Sequence, residues 1–162
     1  MWTNSSSSDP AEHTTEPVRV GVGDLAVTDG ATLTSSGLGS CVGIAVYVDG
    51  ASSVAGLLHA MLPAADEATQ GRFDVPAKYV DAGLEALVTR LEDAGADRSR
   101  LVAKVGGGSE MLGVAVTEPV GRRNVDAARD CLSRLGVPVR AEDVGGDYGR
   151  SLEFDPSTGT LR

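Results

Sequence analysis

Basic charge is scarce in this 162-residue chain: 14 Lys plus Arg stand against 23 Asp plus Glu, giving a formal charge of −9 and a pI near 4.6. A field of that sign repels a phosphate backbone, so the sequence argues against nucleic-acid binding. Cysteine is scarcer still. Cys41 and Cys131 can form at most one bridge, which excludes a disulfide scaffold and fits a reducing cytoplasm. No stretch reaches the 18 or so apolar residues of a membrane span. The start, MWTNSSSSDPAEHTTE, also lacks the basic and then apolar run of a secretory signal. The expectation is a soluble, cytoplasmic protein with no direct membrane insertion.

What is present is ordinary for one domain, with 41% hydrophobic and 23% charged residues. A chain of this length buries about 70% of the surface it exposes when unfolded, so neither metal nor disulfide is needed to hold it together. Among the bases Arg outnumbers Lys by 12 to 2, and among the acids Asp outnumbers Glu by 14 to 9. That bias resembles proteins from salt-loving organisms. Residues 1–16 are rich in Ser, Thr and acids and have little to bury, so they read as a flexible tail ahead of one domain over 17–162, with His13 a bystander.

From Pro17 onward, turn signals separate short apolar runs. Strands are expected at 18–28, 41–48, 54–62, 101–105, 111–117, 137–144 and 151–154. Between Asp74 and Gly95 the residues Val80, Leu84, Leu87, Val88 and Leu91 form one helical stripe, with Asp74 as its cap. A second helix is expected with Asn124 as N-cap, a stripe of Val125, Ala128, Leu132 and Leu135, and Gly136 as its end. Two one-faced helices among many strands imply an α+β, or mixed α/β, fold with a helix layer on sheet.

The runs flanking Asp49–Ser53 carry the candidate chemistry. If Val48 faces Val54 across a hairpin, His59 faces Gly43 and Cys41 faces Met61. Even positions such as Val42, Ile44, Val46 and Leu58 then share one apolar face, and Cys41 and His59 share the other. Diagonal neighbours in such a pair lie about 7–8 Å apart at Cα, within reach of a thiol and an imidazole. A hairpin loop one residue shorter or longer would separate them. A cysteine in a valine-rich strand is more often core than chemistry. The approach SSGLGSC raises the catalytic reading, because a glycine- and serine-rich loop can bring backbone N–H groups of Gly39, Ser40 and Cys41 to an oxyanion. An imidazolium nearby would favour the thiolate.

The segments SSGLGSCVGIAVY, GLLHAMLP, KYVDAGLEAL, AKVGGGSEM, GRRN and AEDVGGDYGR stand in the order and approximate spacing of the CheD family, which the chain resembles from about Val18 to its end. The resemblance implies a three-layer α/β/β sandwich similar to the deamidase domain of cytotoxic necrotizing factors. It implies hydrolysis of glutamine side chains to glutamate in methyl-accepting chemotaxis receptors, without metal or other cofactor. Cys41 falls on the family's nucleophile and His59 on its histidine. Ser35 occupies the third catalytic position, which is threonine in well-known members; serine keeps the hydroxyl and loses the methyl. The implied partners are the receptors' cytoplasmic domains and the phosphatase CheC.

Other features have plainer readings. GGGS at 106–109 lacks the Gly-Lys-Ser/Thr of a phosphate loop. Gly106, Gly107 and Gly108 are instead expected to border a substrate or partner groove. VGGDYGR at 144–150 reads as a turn, Cys131 as packing, and Arg122 and Arg123 as solvated charges. A docking adaptor with weak or lost chemistry is the alternative function. A papain-like protease fits less well, since its flanking motif is absent.

Overall fold

The larger sheet grows from the hairpin that the alternating apolar residues specify. In the computed structural model, which describes residues 16–50, 52–65, 75–110 and 119–162, β1 spans Val18–Arg19, β2 Asp24–Asp29, β3 Leu33–Leu38, β4 Val42–Val48 and β5 Val54–Ala60. Helix α1 (Val80–Asp93), β6 (Leu101–Gly107), α2 (Val120–Leu135), β7 (Val139–Val144), β8 (Arg150–Asp155) and β9 (Thr160–Leu161) follow. Five strands form one sheet in the order β2-β5-β4-β6-β7, and four form a second in the order β1-β3-β8-β9.

The β4–β5 register is the expected one, with Gly43 opposite His59 and Ile44 opposite Leu58. Even positions Val42, Ile44, Val46 and Leu58 therefore face α1 and α2 in one buried cluster with Leu84, Leu87, Leu91 and Leu132. Odd positions Ala45, Ala55 and Leu57 face the smaller sheet, packing with Val20, Leu33 and Phe154. Period-two alternation with both faces apolar is what a sheet covered on two sides requires. The result is a mixed α+β fold of three layers: helices, larger sheet, smaller sheet. Most neighbours in the larger sheet are antiparallel; β6 and β7, joined through α2, run parallel.

Four expectations change. The run 18–28 is not one strand: the chain turns at Val20–Gly23, where Gly23 has φ +71°, and passes from the smaller sheet to the larger. The segment SSGLGSC, read as the approach loop, is strand over its first four residues, Ser35 to Leu38 of β3, which pairs antiparallel with β8. Helix α1 starts at Val80 after an extended Tyr79, and the expected cap Asp74 lies outside the described residues, as does the strand at 111–117. Helix α2 starts at Val120 after Pro119, so Asn124 sits in its second turn and is no cap. Proline suits a helix entrance, because its missing N–H is one the first turn leaves unpaired anyway.

Candidate active site

His59 lies near the end of β5, fully buried, on the face that meets the smaller sheet. Ser35, also buried, reaches it from β3: Ser35 Oγ is 2.8 Å from His59 Nδ1. Ser35 Oγ also donates to the Val20 carbonyl at 2.6 Å. A hydroxyl has one proton. With that proton on Val20, Ser35 accepts from His59, which fixes the proton on Nδ1 and leaves the lone pair on Nε2. Nε2 has no hydrogen-bond partner among the described residues. The sequence thus yields a neutral imidazole held by one nitrogen, its basic nitrogen free.

Cys41 immediately precedes β4 and is half-buried. The β4–β5 register sets His59 opposite Gly43, two residues after Cys41; continued by one residue, it would set Cys41 diagonally across from His59, where such neighbours lie about 7–8 Å apart at Cα. Burial pushes the Cys41 thiol above its ordinary 9.0, opposed by its own backbone N–H. Burial also pushes His59 below its ordinary 6.5. Both shifts favour the neutral forms at neutral pH.

Three consecutive carbonyls ahead of β4 are each held from elsewhere. Gly39 O accepts from Ser109 N at 2.8 Å and Cys41 O from Gly108 N at 2.7 Å. Ser40 O accepts from Asn124 Nδ2 at 2.9 Å. The Ser40 N–H has no acceptor among the described residues. Gly107, at φ +103°, is a position where a Cβ would overlap the Cys41 carbonyl oxygen, so only glycine lets β6 come this close. Gly107 and Gly108 therefore grip the backbone of Cys41, while Gly106 borders a cleft of about 260 Å³ with Tyr148, Arg150 and Leu152. Gly108 borders a second cleft of about 470 Å³ with Arg122, Arg129 and Gly146.

Residues 61–162 match the family model for CheD chemotactic sensory transduction. Over 99% of its length the chain is 42% identical to the probable chemoreceptor glutamine deamidase CheD of Haloarcula marismortui, covering 92% of that protein. It is 43% identical to the chemoreceptor glutamine deamidase CheD of Halalkalibacterium halodurans, over 89% of this chain and 90% of that one. The chain belongs to the CheD family. Among solved structures, Neisseria meningitidis protein NMB0706 shares the fold at a TM-score of 0.56 and 8% identity, over 89% of this chain and 76% of that one. The CheD family model begins just after His59, whereas the match to the Haloarcula protein spans Ser35, Cys41 and His59.

Two further features of this CheD chain are long-range and escape sequence reading. Asn124 donates from its one Nδ2 to both Ser40 O and Met61 O, each at 2.9 Å, so α2 reaches beneath the loops that carry the cysteine and follow the histidine. The Gly-rich loops at 106–110 and 144–150 are joined by side chains. Ser109 Oγ donates to Tyr148 O at 2.6 Å, and Arg150 Nη1 donates to Ser109 Oγ at 2.8 Å. Arg150 Nη2 also donates to Asp143 and to the Tyr148 hydroxyl, both at 3.0 Å, and the guanidinium lies 4.4 Å from the Tyr148 ring. Glycine-rich turns and a lone Arg gave no sign of this mutual support. Cys131 packs in the core beneath α1, as expected. No group of three or more His, Cys, Asp or Glu that could hold a metal occurs among the described residues, and no described helix is long and apolar enough to cross a membrane.

Proposed function

We propose that this chain hydrolyses the side-chain amide of particular glutamines in chemoreceptors, with Cys41 as nucleophile, His59 as base and acid, and Ser35 as the group that orients His59. The observation that carries this reading is the Val20–Ser35–His59 chain of hydrogen bonds, which commits Nδ1–H to Ser35 and reserves Nε2 for proton transfer on the face shared with Cys41. The printed names of the Haloarcula and Halalkalibacterium relatives supply the substrate class.

Nε2 takes the thiol proton as sulfur attacks the carboxamide carbon, and the resulting oxyanion is held by the Ser40 and Cys41 N–H groups. The C–N bond breaks as His59 returns that proton to nitrogen, releasing ammonia and leaving a thioester. Water then attacks the thioester carbon, giving its proton to Nε2. The C–S bond breaks as His59 passes that proton to sulfur, which releases glutamate and restores the Cys41 thiol and the neutral imidazole. This transfer avoids a standing ion pair, in keeping with two groups whose burial disfavours charge. The clefts bordered by Gly106 and by Gly108 are the candidate surfaces for the receptor segment. The protein works at the receptors' cytoplasmic domains, with CheC as its regulatory partner.

The test is mass spectrometry of a receptor cytoplasmic fragment incubated with the protein. The expected product is the small mass gain of NH2 exchanged for OH at glutamine, lost in Cys41→Ala. Backbone cleavage would point to a protease. An unchanged mass with co-elution would point to an adaptor.

A further inference from the structure

Asn124 is fully buried on α2, and its carboxamide orientation is not arbitrary. Two carbonyl oxygens, Ser40 O and Met61 O, lie 2.9 Å from the same atom. Only the NH2 end can face two acceptors; a flipped amide would set oxygen against oxygen. The two hydrogens of one nitrogen therefore tie the residue immediately before Cys41 to the residue two past His59. Cys41 and Met61 stand at the open end of the β4–β5 pair, beyond the last paired residues Val42 and Ala60. Ladder hydrogen bonds no longer fix the spacing there, and the Asn124 amide does.

We propose that Asn124 is a positioning residue that sets the separation and facing of the Cys41 thiol and the His59 imidazole. The inference rests on the reading of those two side chains as the reacting pair. The first turn of α2 bears on the glycine loop. A Cβ at Gly121 would overlap the Ser109 carbonyl oxygen, and Ser109 N in turn holds Gly39 O. Helix α2 thus fixes the cysteine loop from two sides, through Asn124 to Ser40 and through the glycine loop to Gly39 and Cys41. A reaction that needs sulfur and Nε2 in a narrow geometry is sensitive to a displacement of about 1 Å, which can cost about a hundredfold in rate.

The experiment compares Asn124→Ala, Asn124→Asp and Leu132→Ala with the unaltered chain. Leu132 is a fully buried α2 residue, and its truncation loosens the helix while leaving the amide bridge in place. Asn124→Asp keeps the shape but turns an acceptor toward two carbonyls. Thermal melts identify the folded variants. Two readouts are then taken: the iodoacetamide alkylation rate at Cys41, mapped by peptide mass to separate it from Cys131, and kcat and KM for deamidation of a receptor fragment. In folded Asn124 variants the Cys41 alkylation rate is expected to change about threefold or more, and kcat to fall about tenfold to a hundredfold with KM within about twofold. Leu132→Ala is expected to lower the melting temperature while changing neither readout comparably.

Alkylation equal to that of the unaltered chain in a folded Asn124 variant would overturn the inference, as would a kcat loss matched by Leu132→Ala at equal destabilisation. If the unaltered chain releases no ammonia, the deamidase reading fails by itself, and the alkylation comparison alone decides whether Asn124 governs the environment of Cys41.

Discussion

Ser35 and His59 belong to different sheets, and the 2.8 Å contact between Ser35 Oγ and His59 Nδ1 joins those sheets at the candidate site. Because the Ser35 proton goes to Val20 O, the contact has a direction, and the imidazole tautomer follows from it.

Removing that acceptor should slow the reaction without ending it. Ser35→Ala leaves a buried Nδ1–H unpaired, a cost of about 1–3 kcal/mol. Part of that cost falls on orientation, so kcat should drop about tenfold to a hundredfold. His59→Ala removes the proton carrier itself and should cost about a thousandfold or more. Single-turnover ammonia release measures both. Equal losses for the two variants would mean that Ser35 does more than orient.

The pH dependence has a definite sign. Burial holds His59 below 6.5 and Cys41 above 9.0, so the working neutral pair persists across a window wider than free side chains would give. The acid limb of kcat/KM should have its midpoint below 6.5. Stability follows the same groups. Below 6.5 the unfolded chain takes up a proton at His59 that the folded chain refuses, so the His59 contribution diminishes as pH falls from 6.5 toward the folded pKa. Above 9.0 the unfolded chain loses the Cys41 proton first, and stability declines there too. An acid limb at or above 6.5 would contradict the direction given for His59.

Much of this site was legible because it rests on local pattern. Alternation of apolar residues through 42–48 and 54–60 specifies the β4–β5 register, which sets His59 opposite Gly43, two residues after Cys41. The strand holding Ser35 was missed, because SSGLG has the polarity and glycine content of a loop, and only burial between β1 and β8 makes it a strand. Asn124 was misread as a cap because it stands just before the apolar stripe. The true start, at Val120, lies five residues before Val125, the first residue of the stripe. Its role depends on Ser40 and Met61, 84 and 63 residues away in sequence, and no local signal encodes a contact that distant.

Gly107→Ala should act on the nucleophile more than on binding. The added Cβ meets the Cys41 carbonyl oxygen, and φ +103° is unfavourable for any L side chain. The backbone strain alone is worth about 1–3 kcal/mol. The melting temperature should fall, kcat should fall with it, and KM should move little. A rise in KM at unchanged kcat would instead make Gly107 part of the substrate groove.

Arg150→Lys tests whether the two glycine loops act as one support. Arg150, with its side chain only 8% exposed, spans Ser109, Asp143 and Tyr148 with a fork that lysine cannot reproduce. Loss of these charge-assisted bonds should cost about 2–3 kcal/mol. Since Ser109 N holds Gly39 O, Cys41 alkylation should quicken in the variant. A lower denaturation midpoint with unaltered alkylation would confine Arg150 to stability.

Salt should stabilise this protein, and the ion pairs show why the sign is not trivial. Arg140–Asp49 at 2.8 Å and Arg129–Glu142 at 2.7 Å are attractive, and screening weakens them. These pairs are half-exposed or partly so, and such contacts are worth about 0–1 kcal/mol each. Against them stands a net charge of −9 whose mutual repulsion is spread over the whole surface. Screening removes more repulsion than attraction, so the melting temperature should rise with KCl. The shape of the rise identifies the cause. The Debye length shrinks from about 10 Å at 0.1 M to about 3 Å at 1 M, so a screening effect levels off within that range. A gain that continues undiminished above it would come from salt exclusion and not from the carboxylates. A melting temperature that falls with KCl would mean the few arginine pairs outweigh the excess acids.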